Sequence, residues 1–510
     1  MALHTHTTKL PGFELHISRS LFGLLWPAGI PLLLSFAFLE FNAVNLESAR
    51  AMVVALALSS AGLLYRGLRS REFIKQLAAT ALFGGFFIWY AYPAAITLFS
   101  SSQEIGVDLP VVIDPETIFR SLVLLSLFLL SAAISIKVFG GNQLAKMSVL
   151  KSRPMTDSHI LLLLVLTGCT IGLLPIFILS SGFNSALKSI LQSRIIEKPW
   201  LQIENLGNQS SAFTYLTSSI LIASVSLLWI IIYQGRRKAP GVRIALGALA
   251  LTISAILFLD QGTRSVSALI FLPPIILVIQ NKLRQYRFRS VVLAVLLVFL
   301  VVFVLQFQLV FRTEYDRSHL NESLFKNWAT LGGTIDYFKE TLLAASLVPG
   351  YHDYFKESIL LQFISSPIPR FIWPSKPAST LVWYYSLWRL NIDIYQGKGN
   401  TFPGIVGQFY MSWGVFGPIL VGLLMGWISA RINFFLFRAS FINDPFKTAT
   451  GALWAVWIFM SYRVLSPGFL YPVLIAGLLV ALSRRNNRYA KGYPLKWAYP
   501  ESESAQGILS

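Results

Sequence analysis

The stretch ILFLDQGTRSVSALIF, from Ile256 to Phe271, places an acid and a guanidinium between two apolar arms. The arms run to basic residues, Arg243 on one side and Lys282 on the other. At about 1.5 Å per helical residue, each arm is roughly 24 Å long, against a hydrocarbon core of about 30 Å. Gly262 permits a tight reversal of the chain. The pattern predicts two membrane-spanning helices joined by a polar turn near the depth of the lipid headgroups.

The whole chain has the composition of a membrane protein. It contains 510 residues, of which 55% are hydrophobic and 13% charged, whereas about a quarter of a soluble domain is charged. The net charge of +19 does not indicate nucleic-acid binding, because the basic residues lie mostly in short loops between apolar runs. We therefore expect an all-α polytopic membrane protein whose partner is the lipid bilayer, with no nucleic acid.

Apolar runs of spanning length recur along the sequence. A transmembrane helix needs about 20 apolar residues, and we predict about twelve such helices, the first of them retained rather than cleaved as a signal peptide. Lys and Arg concentrate in alternate loops, which predicts that both termini are cytoplasmic. The expected spans are 21–39, 49–65, 77–98, 118–136, 160–179, 213–233, 244–259, 266–280, 291–311, 407–430, 449–462 and 469–483.

The spans divide the chain into five regions. A large extracytoplasmic loop, 312–406, separates helices 9 and 10. Within that loop, residues 324–346 have the pattern of an amphipathic helix, which we expect to lie on the membrane surface. The other regions are a cytoplasmic N-terminus at 1–20, nine helices in 21–311, three helices in 407–483 and a cytoplasmic tail at 484–510.

The polar turn at 260–265 has two interpretations. In the first, Asp260 and Arg264 form a salt bridge that only caps the hairpin, since such pairs are common and weak. In the second, the turn binds an anion. The planar fork of Arg264 suits a phosphate or pyrophosphate, and Thr263 and Ser265 add hydroxyl donors. We favour the second, because other cations recur at the same predicted outer level.

Arg312 directly follows span 9. It either extends towards the headgroups from a helix end or forms a second phosphate clamp. Glu314 and Asp316 form an acid-x-acid pair, but such short spacing is weak evidence for metal binding, and we predict no metal site.

The segment PIPRFIWPSKP, Pro367 to Pro377, contains four prolines and should be stiff and extended. It either braces the loop or presents Arg370 and Lys376 beside Trp373, an arrangement that suits a sugar phosphate.

The glycine-rich segment GKGNTFPGIVGQFYMSWGVFGP runs from Gly397 to Pro418. Backbone amides in such turns can hold an anion, and Lys398 would add charge. The alternative is a flexible loop that leads into span 10. A catalytic base is not singled out by the sequence; the candidates are Asp260, Glu314 and His352.

The order of these motifs carries a resemblance to a known family. An Arg-Ser turn is followed by PIPRFIWPSKP, then by GNTFPG, then by GQFYMSWGVFGP. This order resembles the oligosaccharide repeat-unit polymerases, the Wzy-type O-antigen polymerases. The resemblance implies a GT-C-like fold and catalytic roles for Arg264, Arg312 and Arg370. The substrate-binding residues that we predict with it are Thr263, Ser265, Trp373, Lys376, Lys398 and Asn400.

The resemblance also implies a reaction and a location. Family members transfer a growing glycan from undecaprenyl pyrophosphate to a new lipid-linked repeat unit, on the periplasmic face of the bacterial inner membrane. No cofactor is expected, since the leaving group carries the activation, and a chain-length regulator is a possible partner. Two alternatives stay open, namely an O-antigen ligase or other lipid-linked glycosyltransferase, and a polysaccharide transporter or flippase.

Overall fold

The protein is described by a computed structural model in which the described residues form helices, turns and short connections. The predicted all-α membrane class is confirmed, because seven helices among the described residues are long and apolar enough to cross a membrane. The structure describes residues 13–41, 43–69, 73–99, 114–144, 156–179, 184–186, 190, 209–234, 240–261, 264–283, 337–355, 368, 373, 380–390, 402–442, 444–463, 465 and 467–483.

Eight long helices are described before the large loop, and most follow the predicted spans. The third contains a π-helical turn at Phe87–Ala91. The hairpin predicted from the opening stretch is present, since one helix ends at Gln261 and the next begins at Arg264. The eight helices are α1 (Phe13–Glu40), α2 (Leu46–Arg69), α3 (Leu77–Phe99), α4 (Pro115–Leu144), α5 (Ser158–Leu179), α6 (Gln209–Gln234), α7 (Pro240–Gln261) and α8 (Arg264–Leu283).

Six further helices are described after residue 336. They are α9 (Tyr337–Leu347), α10 (Thr380–Leu390), α11 (Gly404–Trp413), α12 (Phe416–Phe441), α13 (Pro445–Ser461) and α14 (Pro467–Leu482). The expected span at 291–311 lies outside the described residues, so the count of twelve spans stays a prediction.

Among the described helices, α4 and α12 share the most extensive contact, and they pack in parallel through small residues. A Cβ on Gly422 would meet Ser131 Oγ and the Phe128 carbonyl, and one on Gly426 would meet the Ala132 carbonyl. Ser135 Oγ donates to the Leu423 carbonyl at 2.7 Å. Lipid tails are as apolar as leucine side chains, so close backbone approach through glycine and serine is what joins helices in a bilayer.

The prediction of one span at 407–430 is wrong, because the chain reverses at Gly414. Gly414 has φ of +59°, which favours glycine. A Cβ on Gly417 would strike the Phe409 carbonyl, so α11 folds back along α12. Only α12 has the length of a membrane span; α11 is a separate, buried helix within the bundle.

The prediction that residues 324–346 lie on the membrane surface is also wrong for the part that is described, from Tyr337 onward. Helix α9 begins at Tyr337 and contacts α4 and α11, and Phe338, Leu342 and Leu343 are fully buried. An amphipathic pattern cannot distinguish a helix that rests on lipid from one whose apolar face is covered by protein.

The bundle has two ends, which the charge pattern predicts to be the outer and the inner one. At the predicted outer end, where α3 ends and α2 and α4 begin, Arg50 Nε donates to the Leu98 carbonyl at 3.0 Å. At the predicted inner end, where α12 ends and α13 begins, Asp157 N donates to the Ser483 carbonyl at 2.8 Å.

Candidate functional site

The candidate site lies at the predicted outer end, where the described parts of the large loop pack into the bundle. Its walls are α9, the turn at 348–355, α10 and α11. Helix α11 runs outward from a level near Phe128 to a level near Arg120. At its start, Ile405 N donates to the carbonyl of Tyr462, whose ring meets that of Phe128 edge-on, and towards its end Tyr410 reaches Arg120. We call this region the outer cluster.

The inner end of α11 is fixed by two tyrosines. The Tyr462 carbonyl accepts from Ile405 N at 3.0 Å and from Tyr90 Oη at 3.3 Å. Tyr90 Oη in turn accepts from Val406 N at 3.3 Å. Gly404 sits against this group with φ of +68°, and a Cβ there would lie 2.5 Å from Tyr90 Oη. Position 404 therefore requires glycine for both conformation and space.

Arg463 follows Tyr462 and lies beside the end of the GNTFPG motif. Its Cζ is 5.9 Å from the centroid of the Phe402 ring, an arrangement typical of a cation–π contact. Its Nε is buried and has no hydrogen-bond partner among the described residues. A buried guanidinium donor that lacks an acceptor costs free energy, and an anionic ligand would remove that cost.

Arg120 forms a second cationic position, at the outer end of α11. Its guanidinium lies 3.1 Å from Glu116 Oε1 and within hydrogen-bonding reach of the Tyr410 hydroxyl. Tyr410 Oη donates to the Val348 carbonyl at 3.0 Å. The Arg120 side chain is 40% exposed, so its bond to Glu116 is weak and can yield to a phosphate. Phe402 contacts Arg463 and Tyr410 contacts Arg120, and these two aromatic residues are eight positions apart, or about 12 Å at the rise of a helix.

His352 contacts two aromatic rings, one in the same turn and one on α10. Its ring stacks on that of Phe355 and is tilted against that of Tyr384, with a centroid distance of 4.4 Å to each. Its Nδ1 is 2.5 Å from the Asp353 carbonyl oxygen. A carbonyl oxygen only accepts, so the neutral ring carries its proton on Nδ1 and keeps a free lone pair on Nε2. This tautomer can remove a proton at Nε2.

The link between α9 and α10 is a partly buried ion pair. Arg389 Nε lies 3.7 Å from Glu340 Oε1, and Tyr385 Oη donates to Glu340 Oε2 at 2.6 Å. Burial, and next the Glu340 carboxylate, raise the pKa of Tyr385 well above its ordinary value. Tyr385 thus stays protonated and holds α10 against α9, which supports the turn that carries His352.

Most of the predicted site side chains lie outside the described residues. Trp373 is half-buried and His352 belongs to the outer cluster. Arg264 and Ser265 begin α8 and Asp260 lies in the last turn of α7, but their side chains are outside the described residues. The predictions on Thr263, Arg312, Glu314, Arg370, Lys376, Lys398 and Asn400 also lie outside the described residues.

Arg120 and Arg463 were missed from the sequence. Arg463 follows a predicted span directly, which is the same signal that singled out Arg312. Arg120 lies just inside the predicted span 118–136 and four residues after Glu116. This spacing is typical of an ordinary ion pair on a helix surface.

Within the described part of the chain, no group of three or more His, Cys, Asp or Glu side chains could hold a metal ion. Comparisons with models of protein families, with curated proteins and with solved structures found no match. The seven apolar helices of spanning length define the class of multi-pass α-helical membrane protein. The chemistry of the site depends on the residues described above.

Proposed function

We propose that the protein polymerises undecaprenyl-pyrophosphate-linked oligosaccharide repeat units on the outer face of the bacterial inner membrane. The proposal combines the motif order with the outer cluster. The observation that carries it is Arg463, whose buried Nε lacks an acceptor beside the GNTFPG motif.

The reaction requires positive charge where the leaving group forms. When the glycan leaves undecaprenyl pyrophosphate, negative charge develops on the bridging oxygen. Guanidinium groups fixed at that point stabilise the transition state more than the ground state. Arg463 and Arg120 are candidates for this role, together with the sequence-predicted Arg264, Arg312 and Arg370.

The acceptor hydroxyl must lose a proton as the new bond forms. His352 is supported as the base by its tautomer, which leaves Nε2 free, and by the rings that orient it. Asp260 and Glu314 remain the alternative bases. Aromatic side chains around the cluster suit sugar rings, whose apolar faces stack on them.

The decisive experiment supplies lipid-pyrophosphate repeat units to the purified protein in detergent, without nucleotide, and follows glycan length on a gel. Growth of a ladder supports the polymerase. A transporter cannot lengthen a glycan in micelles, and a ligase yields one transfer to its lipid acceptor rather than a ladder. An absence of any longer product would overturn the proposal.

Variants then test the arginines. Arg463→Ala should slow chain growth by about 10²- to 10³-fold, the usual loss when one charge-stabilising donor is removed, and Arg264→Ala and Arg370→Ala should abolish long chains while the protein still inserts. Arg50→Ala is the matched control, because Arg50 lies at the same predicted end but pairs with Glu47 at 2.6 Å. Ladders of ordinary length from all three test variants would contradict the proposed site.

A further inference from the structure

An apolar groove lies on the other side of the bundle, between α12, α13 and α14. Its volume is about 550 Å³, and among its lining residues are Val421, Ile428, Trp454, Leu470 and Val480. None of the residues of the outer cluster lines it. The groove is therefore separate from the candidate active site.

The stretch of the groove between Val421 and Arg431 has the length of one leaflet of a bilayer. Val421 and Arg431 both line it and are ten residues apart on α12, which corresponds to about 15 Å of helix. Half of a hydrocarbon core of about 30 Å is the same distance. Arg431 lies near the end of the groove towards the predicted inner surface, where the lining continues for one more turn of α12, to Phe435.

The charge at that end is available to a ligand. Arg431 is exposed, and its guanidinium lies 5.6 Å from the centroid of the Trp427 ring. The other lining cation, Lys447, has its ammonium 3.0 Å from the Asp444 carboxylate, which offsets its charge. The groove thus presents one net positive group near its inner end and apolar side chains along its length.

We infer that this groove binds one anionic glycerophospholipid of the inner leaflet, with an acyl chain in the groove and the phosphate at Arg431. Basic pockets between transmembrane helices on the cytoplasmic side characteristically bind anionic headgroups. The Trp427 ring orients the guanidinium at headgroup depth, where tryptophan is enriched. The bound lipid packs α12 against α14 along a face that protein atoms leave open.

The test is native mass spectrometry of the delipidated full-length protein, titrated with phosphatidylglycerol or with phosphatidylcholine of the same acyl chains. One cation near the headgroup contributes about 1 kcal/mol, which is about fivefold in affinity. We expect the first bound phosphatidylglycerol to be about fivefold tighter than phosphatidylcholine. Binding is measured without repeat units, so the result does not depend on the proposed polymerase activity.

Two variants separate the charge from the cavity. Arg431→Ala should abolish the preference between the two lipids, whereas Arg66→Ala, an exposed arginine at the predicted inner end of α2, should keep it. Gly477→Leu should fill the groove and weaken both lipids, since a Cβ at this position meets only Thr450 Cγ2, at 3.9 Å, and the larger side chain enters open space.

Equal affinity of the unmodified protein for the two lipids would overturn the inference. So would a preference that survives Arg431→Ala, or an occupancy that Gly477→Leu leaves unchanged. Because Arg431 is exposed, Arg431→Ala should fold even if Gly477→Leu does not. The lipid preference of Arg431→Ala is then sufficient to overturn the proposed site.

Discussion

The pair Asp444–Lys447 at the predicted inner end offers a direct measurement of what a buried charge contributes to this fold. Lys447 Nζ lies 3.0 Å from Asp444 Oδ2, and the two side chains are 9% and 1% exposed. Asp444 Oδ1 accepts from the backbone of Phe446 and Lys447, which caps α13. Asp444 Oδ2 also accepts from Thr156 N at 3.2 Å and Thr156 Oγ1 at 2.9 Å. One carboxylate therefore joins the connection before α5 to the start of α13.

Removing that carboxylate should be costly. Asp444→Ala removes the carboxylate beside the buried ammonium of Lys447, a change that typically costs about 3–5 kcal/mol, and it removes a helix cap worth about 1 kcal/mol. These contributions overlap, so we expect a loss of about 4 kcal/mol in the free energy of unfolding. Asp444→Asn with Lys447→Met removes both charges and keeps an oxygen for the cap, and it should return most of that loss.

The assay is unfolding in mild detergent micelles titrated with sodium dodecyl sulfate, followed by tryptophan fluorescence. The single variants Asp444→Asn and Lys447→Met and their double variant form a thermodynamic cycle that isolates the pair. If Asp444→Ala stayed within about 1 kcal/mol of the unmodified protein, the pair would behave as a surface ion pair and the reasoning would be refuted. A double variant no more stable than Asp444→Ala would refute it equally.

Two further predictions concern α4. Gly422→Ala should destabilise the protein by about 1–3 kcal/mol, because the new methyl enters the contact with α4. Gly140→Ala, where a Cβ meets nothing within 4 Å, should leave the stability unchanged or raise it by up to about 1 kcal/mol in the same unfolding assay. Asp114→Ala should cost about 1 kcal/mol, because Asp114 Oδ1 accepts from Thr117 N at 2.8 Å at the start of α4. The hydrogen bonds from Thr117 lower the pKa of Asp114 below its usual 3.8, so its contribution is present above that pH and is lost as the pH falls through the lower folded value. Stability curves of the variant and the unmodified protein should converge at the acid end; a constant difference across that range would argue against the cap.

The helices of the first half of the chain could be predicted from hydropathy alone. The predicted spans 244–259 and 266–280 lie within α7 and α8, which extend two to four residues beyond them at each end. Long apolar runs between charges have only one stable state in a bilayer. The same rule failed at Gly414. Apolar residues continue on both sides of it, and hydropathy does not distinguish one long span from a helix that folds back along its neighbour. The small residues Gly422 and Gly426 carried a signal of close packing, but the sequence does not say which helix they face.

The outer cluster could be predicted only in part. The large loop and its aromatic and basic character were visible, and His352 was among the candidate bases. Its ring contacts that of Tyr384, a residue of α10, and no local pattern reports such a contact. Arg463 lies in the same way beside Phe402, from which three helices, α11 to α13, separate it in the sequence. Side-chain pairs distant in sequence are decided by packing, so the sequence alone does not show that Arg463 and Arg120 lie at the two ends of α11.

The packing of α4 against α12 has a consequence for biogenesis. Ser135 and Leu423 are 288 positions apart, so the ribosome finishes α4 long before its tightest partner exists. Until α12 is inserted, the face of α4 at Ser131 and Ala132 must be covered by lipid or by an insertion factor. A chain truncated before residue 416 would keep its early helices in the bilayer and lack the element that closes them. We expect quality-control proteases to recognise such a fragment as an orphan.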